Sequence, residues 1–213
     1  MNSIESRIAL MAQMQDAHNR EVHPSWRTQG YEYYRAIWVE CAELLDHYGW
    51  KWWKLQQPDL DQVRLEIVDI WHFGLSELLR HGRLDVDRVD AEITAAVTQG
   101  LGATAGDFRT AVEQLAARTL AERDFCLPAF IGVMRALPME FDELFRHYVG
   151  KNVLNRFRQA NGYKTGEYRK LWNGVEDNVH LMSLAAELDA ESAGYVDALY
   201  AALESRYTQS QRN

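Results

Sequence analysis

The chain has 213 residues, a length that fits one domain or a domain with an appended lobe. An apolar share of 47% and a charged share of 25% exclude a mainly disordered chain, and four prolines beside thirteen glycines exclude a collagen-like one. The net charge of −8 excludes broad attachment to nucleic-acid backbones, which needs a basic face. No run approaches the roughly 20 apolar residues that a bilayer span requires, so no membrane partner is expected. The start, MNSIESRIAL, lacks the basic flank and apolar run of a signal peptide, and a cytoplasmic location is expected. Cys41 and Cys126 have neither the number nor the spacing of a disulfide framework or a zinc site.

Taken in chain order, apolar positions recur at three and four. Tyr31, Tyr34, Ile37, Trp38, Cys41, Leu44, Leu45 and Tyr48 form one helical stripe. Leu60, Val63, Ile67, Ile70, Phe73, Gly74 and Leu78 form the next, opened by Pro58-Asp59. Residues 81–106 are mixed and charged, and read as an irregular connection or short helices. After them Asp107 suits an N-cap for a helix carrying Phe108, Val112, Leu115 and Leu120. Phe141, Leu144, Phe145, Tyr148 and Phe157 mark a long helix. The segment 161–178 concentrates Gly, Asn and Lys, and its Tyr163, Tyr168 and Trp172 point to an ordered loop rather than a disordered one. Leu181, Leu184 and Leu188, then Tyr195, Leu199, Leu203 and Tyr207, give two closing helices. No alternating β-branched run appears, so the class is all-α, a helical bundle in a single domain over 1–213, with a lobe around 81–178 as the candidate mobile part.

Two acidic pairs stand out. Glu40 and Glu43 are three apart, as are Glu66 and Asp69, so each pair shares one helix face, beside the apolar stripe rather than opposite it. If the two helices pack through those stripes, four carboxylates converge, and at low dielectric they need cations or retained protons. Hard divalent ions answer that need, and Mg²⁺ with its retained waters suits a phosphate substrate. Isolated acidic pairs on solvated faces are common, so the weight lies on having two pairs on neighbouring helices. A di-iron bundle is the rival within this chemistry. It is weakened because Asp46, not His, follows Glu43 by three, although His72 does follow Asp69 by three.

The segments E-C-A-E-L-L-D-H-Y-G-W-K-W-W-K (Glu40–Lys54), E-I-V-D-I-W-H-F (Glu66–Phe73) and K-N-V-L-N-R-F-R-Q-A-N-G-Y-K-T-G-E-Y-R-K (Lys151–Lys170) resemble the all-α dimeric dUTPases of the helical NTP pyrophosphohydrolase superfamily. The likeness runs in order over roughly residues 13–180. It implies a homodimer that hydrolyses dUTP, and dUDP, to dUMP, using two or more Mg²⁺ per active site bound by Glu40, Glu43, Glu66 and Asp69. One of the first pair, with Glu43 favoured over Glu40, would orient or deprotonate the attacking water. The resemblance also implies attack at the β-phosphorus.

By the same resemblance Lys151, Arg158, Tyr163 and Lys170 contact phosphates, with Asn178 a further candidate. Asn155 and His72 meet the deoxyribose, and Gln15, Asn19 and Trp52 meet the base. Arg suits bidentate contact with phosphate oxygens, whereas Lys acts as a point charge. An amide offers the donor and acceptor that a uracil edge needs, and an indole can stack on the pyrimidine. At least one of Trp50, Trp52 and Trp53 is expected to serve only core packing. His18 stands where the family often has an apolar residue, which leaves open a phage-type dCTPase/dUTPase with broader pyrimidine acceptance. A non-catalytic helical dimer binding a regulatory protein is the reading from another class, and loss of a metal carboxylate would favour it.

Overall fold

The computed structural model describes residues 3–86, 88, 89, 91–102, 104, 106–189, 192 and 194–211. It divides into two compact units, residues 1–145 and 146–213. The first contains α1 (Ile4–Val22), a 3-10 turn (Trp26–Thr28), α2 (Tyr33–Tyr48), α3 (Leu60–Arg80), α4 (Ala91–Leu101), α5 (Phe108–Glu122) and α6 (Leu127–Ala136). The unit boundary falls inside α7 (Phe141–Ala160). The second unit continues with an antiparallel hairpin, β1 (Leu171–Trp172) and β2 (Val175–Glu176), then α8 (Asp177–Glu187) and α9 (Tyr195–Ser210). The fold is all-α, as the spacing of apolar residues predicts. Among the described residues no helix is long and apolar enough to cross a membrane.

The first unit is built around α3, whose sequence is apolar on nearly every side. Of the predicted stripe, Val63, Ile67, Ile70, Gly74 and Leu78 are buried, whereas Leu60 is exposed and Phe73 half-buried; Leu65, Val68, Trp71, Leu75 and Leu79 are buried as well. A helix apolar all round belongs in the interior. Asp59 caps its start by accepting from Gln62 N–H, as Asp107 caps α5 by accepting from Thr110 N–H. Trp71 stacks on Phe130 at 5.2 Å between ring centroids, and Phe125 lies against both rings. Gly74 lets that ring in, because a Cβ there would sit 2.7 Å from Phe125.

Helices α2 and α3 run antiparallel. Tyr33 at the start of α2 lies 6.4 Å from Phe73 near the end of α3, whereas His47 at the end of α2 reaches Glu66 two turns earlier. Ile37, Cys41 and Leu44 form the seam. Burial raises the Cys41 thiol to about 12, helped by the Glu40 charge, so it behaves as a small hydrophobe.

In the second unit Phe157 is the hub of an aromatic cluster, with Tyr168, Trp172, Tyr200 and Tyr207 rings 5.4 to 6.1 Å away. The cluster orders the segment 161–178 as expected, with Trp172 and Tyr168 buried and Tyr163 exposed. The segment also contains the hairpin, which the sequence reading does not anticipate. Its turn is Asn173-Gly174, both with positive φ (52° and 81°), the geometry that favours this dipeptide in a two-residue turn. Helix α6 is likewise an addition, α4 is a short helix within the stretch read as irregular or short-helical, and Leu120 lies exposed rather than in the α5 stripe.

Candidate active site

The antiparallel seam brings the two acidic pairs together. Oxygens of Glu40, Glu43 and Glu66 all lie within 4.8 Å of one another. Glu66 is buried, Glu40 half-buried and Glu43 exposed. Asp69 is half-buried one turn beyond Glu66, close enough for its charge to act on Glu40. Two unit charges 4 Å apart repel by about 4 kcal/mol at an effective dielectric of 20, so the cluster is strained without a counter-charge. The strain shows at Glu40, whose carboxyl is pushed up to about 8 by burial, by its hydrogen bond with Glu66, and by the charges of Asp69, Glu66 and Glu43. An all-oxygen donor set of crowded carboxylates fits a hard divalent ion.

A second acidic group does not share that character. Glu77, His81 and Asp124 also converge, but Glu77 Oε2 accepts from Arg80 Nε and Nη2 at 3.0 and 2.5 Å, and Asp124 accepts from Arg83. Arginines already neutralise it. The clusters differ in their built-in basic groups: arginines pair with the second, whereas at the first His47 Nε2 lies 3.5 Å from Glu66 Oε1.

At Ser76, farther along α3 than the acidic pair, α1 contributes two amides. Gln15 and Asn19 are buried, and Gln15 Nε2 donates to Asn19 Oδ1 (3.1 Å) and Ser76 Oγ (3.1 Å), while Asn19 Nδ2 donates to Ser76 Oγ (2.9 Å). Ser76 in turn donates to the carbonyl of His72, whose Nδ1–H donates to Val68 O at 2.8 Å. Gln15 and Asn19 thus converge on one hydroxyl, which is itself tied to the backbone carbonyl of His72. Ser76 is a member that the sequence reading missed; the available signal was a lone hydroxyl inside the apolar face of α3. Trp52 lies elsewhere. It is 90% exposed, edge-on to Trp53 at 5.4 Å, at a hollow of about 680 Å³ lined by residues 49–56 and Arg109, with neither Gln15 nor Asn19 among them. Trp50 and Trp53 are 47% and 57% exposed, which overturns the expectation that one of the three serves the core. The reason is local: the chain leaves α2 at Gly49 (φ 88°), and the indoles pack on one another outside the helical layer.

The second unit holds the cationic residues. Lys151 is buried on α7. Arg158, one turn after Asn155, forms a buried bidentate pair with Asp177, Nε to Oδ2 and Nη2 to Oδ1, both 2.8 Å. Its Nη1 donates to Asn155 Oδ1 at 3.2 Å. The Tyr163 ring lies between two cations, 5.9 Å from the Arg158 guanidinium and 5.6 Å from Lys170 Nζ. Burial pulls Arg158 down, yet Asp177 outweighs it and the guanidinium is held more firmly protonated. Asp177 stays below the usual carboxylate range despite its burial, because Arg158, Tyr168 and the Asn178 N–H all favour its charged form. Thus Asn155, Arg158, Tyr163, Lys170 and Asn178 belong to one neighbourhood. Asp177 and Tyr168, which the sequence reading did not assign, tie it together.

An all-helical fold with clustered carboxylates on two packed helices defines a class of proteins able to hold divalent cations against phosphate substrates. The dUTPase family model matches residues 7–163, and the chain belongs to that all-helical family, whose activity is dUTP diphosphatase. Among curated proteins none matches the chain. The matched span includes both acidic pairs, Gln15, Asn19, Trp52, Asn155, Arg158 and Tyr163, and stops before Lys170, Asp177 and Asn178.

Proposed function

We propose that the protein is a Mg²⁺-dependent enzyme that converts dUTP to dUMP and pyrophosphate, and dUDP to dUMP and phosphate. The observation that carries this is the convergence of Glu40, Glu43 and Glu66 within 4.8 Å, with Asp69 acting on Glu40, in a chain of the dUTPase family. When bound, two or more Mg²⁺ would cancel phosphate charge and lower the pKa of a coordinated water. Glu40, Glu43, Glu66 and Asp69 are the residues that would hold the ions. Glu43, the exposed member, is placed to orient or accept a proton from water, while Glu40 and Glu66 are committed to each other inside the seam.

The neutral recognition groups follow from their hydrogen bonds. With Nδ1–H committed to Val68, His72 presents Nε2 as an acceptor, suited to a sugar hydroxyl. Asn155 gives its carbonyl to Arg158, so its NH₂ is the end turned to a ligand acceptor. Gln15 and Asn19 supply fixed amides for a pyrimidine edge. Lys151, Arg158, Tyr163, Lys170 and Asn178 supply donors for phosphate oxygens. Trp52, whose exposed ring lies at a hollow without the amides of Gln15 and Asn19, is a separate proposed base contact, and unchanged dUTP affinity in Trp52→Ala would remove it. The exposed Leu55 and Trp53 favour a homodimer that covers them, which sedimentation of the full chain as a monomer would refute.

The deciding experiment is release of pyrophosphate from dUTP, dCTP, dTTP and dATP with Mg²⁺, and of phosphate from dUDP. Turnover of dUTP and dUDP only with a divalent cation is expected. Equal turnover of dCTP would move the reading to a broader pyrimidine enzyme.

A further inference from the structure

A guanidinium meant to attract phosphate is poorly served by a buried carboxylate on it, since the anion offsets the charge that the substrate would feel. Yet Asp177, 1% exposed, takes Arg158 by both arms. What such a pair supplies is direction: two parallel charge-assisted bonds fix the plane of the guanidinium. The bracing continues outward, because Tyr168 donates its hydroxyl to Asp177 Oδ2 at 2.8 Å and stacks on Tyr207 at 5.3 Å. Asp177 is also the first residue of α8, with its own N–H donating to Lys170 O at 2.8 Å, so the carboxylate sits on a fixed backbone. Arg158 has five N–H donors; Asp177 takes two and Asn155 one, and the Tyr168 hydroxyl lies within hydrogen-bonding reach of the same guanidinium. The guanidinium lies 5.9 Å from the Tyr163 ring, which also has Lys170 Nζ 5.6 Å away.

We infer that Asp177, braced by the Tyr168 hydroxyl, is a positioning residue that aims the Arg158 guanidinium at the substrate phosphates and acts on the reaction only through Arg158. This rests on the assignment of Arg158 to phosphate binding. It adds two residues outside the family-matched span to the working parts of the enzyme.

The test is a double-substitution cycle in the full chain with dUTP and Mg²⁺, reading KM, kcat and melting temperature. Asp177→Asn is isosteric but loses the charge; it should raise KM about tenfold with kcat changed far less, the scale of one lost charge-assisted hydrogen bond. In an Arg158→Lys background, where the planar fork is already gone, it should add less than about twofold. Tyr168→Phe keeps the ring and removes one brace, so KM should rise by about threefold, and this variant decides the matter if Asp177→Asn does not fold. A lowered melting temperature with unchanged KM in both the Asp177 and Tyr168 variants would make the pair purely structural and overturn the inference, as would effects that multiply fully in the Arg158→Lys background. If Arg158→Lys itself leaves KM and kcat unchanged, the assignment of Arg158 to phosphate fails first, and the cycle separates that failure from the other.

Discussion

Glu40 is the side chain on which the electrostatics of the acidic seam concentrate. Its carboxyl is raised to about 8 in the folded chain, against 4.5 when unperturbed, so the native state holds a proton there that the unfolded state releases. Stability without metal is therefore full below the unfolded value and is lost as pH climbs from about 4.5 to 8. Glu40→Gln keeps the shape and removes the titration. Its metal-free melting temperature should exceed that of the wild type at the alkaline end of that window and match it at the acid end. Thermal melts across the window check this, and a variant less stable at every pH would show that the carboxylate is structural. Glu43→Gln and Asp69→Asn address the chemistry instead. Each should abolish pyrophosphate release while leaving the metal-free fold at least as stable, because one anion leaves a crowded site. Activity within a few-fold of wild type in either would remove that residue from the metal set.

At the scale of elements, α3 works because one glycine admits an aromatic ring. Adding a methyl at Gly74 places it 2.7 Å from Phe125, whose ring is wedged by Trp71 and Phe130 and has nowhere to yield. Gly74→Ala should destabilise the chain by about 1–3 kcal/mol despite its better helix propensity, as overpacked cores do. Chemical denaturation measures it, and a gain in stability would mean that the ring relaxes freely. The same elements show what was legible in the sequence. The stripes of α2, α3 and α5 and the caps at Asp59 and Asp107 follow from spacing three and four, and so does the shared face of each acidic pair. Helix α4 is faint because only Ile93 and Val97 of its residues are buried. Helix α6 is missed, although Leu127, Phe130, Ile131 and Met134 keep the helical period, because the further apolar residues between them make LPAFIGVMRA read as a short apolar run. The hairpin is too short to alternate, although Asn173-Gly174 carried its signal. For the site, residue type marked Arg158 as a cation but not that Asp177, 19 positions on, holds it. Pairings across a turn and a hairpin have no periodicity to betray them.

At the scale of the whole chain, the two units carry opposite chemistry. Residues 1–145 hold the carboxylates, and residues 146–213 hold Arg158, Lys170 and the donors around Tyr163. Ligands of different charge should therefore order different parts. Mg²⁺ alone answers the repulsion at Glu40, Glu43 and Glu66, so it should protect amides of α2 and α3 around those residues and leave 151–178 nearly unchanged. The cations of 151–178 have no reason to respond to another cation. If they bind phosphate as proposed, Mg²⁺ with a non-hydrolysable dUTP analogue should add hydrogen-exchange protection across that segment. Arg158 is already paired with Asp177, so its neighbourhood starts from a high baseline; the gain should be largest toward the exposed Tyr163 and Lys170. Exchange measured on the full chain in the three states, free, metal-loaded and nucleotide-loaded, tests each half separately. Equal protection of 151–178 with and without nucleotide would mean a preformed phosphate site, and protection there by Mg²⁺ alone would place a metal ligand where none has been assigned.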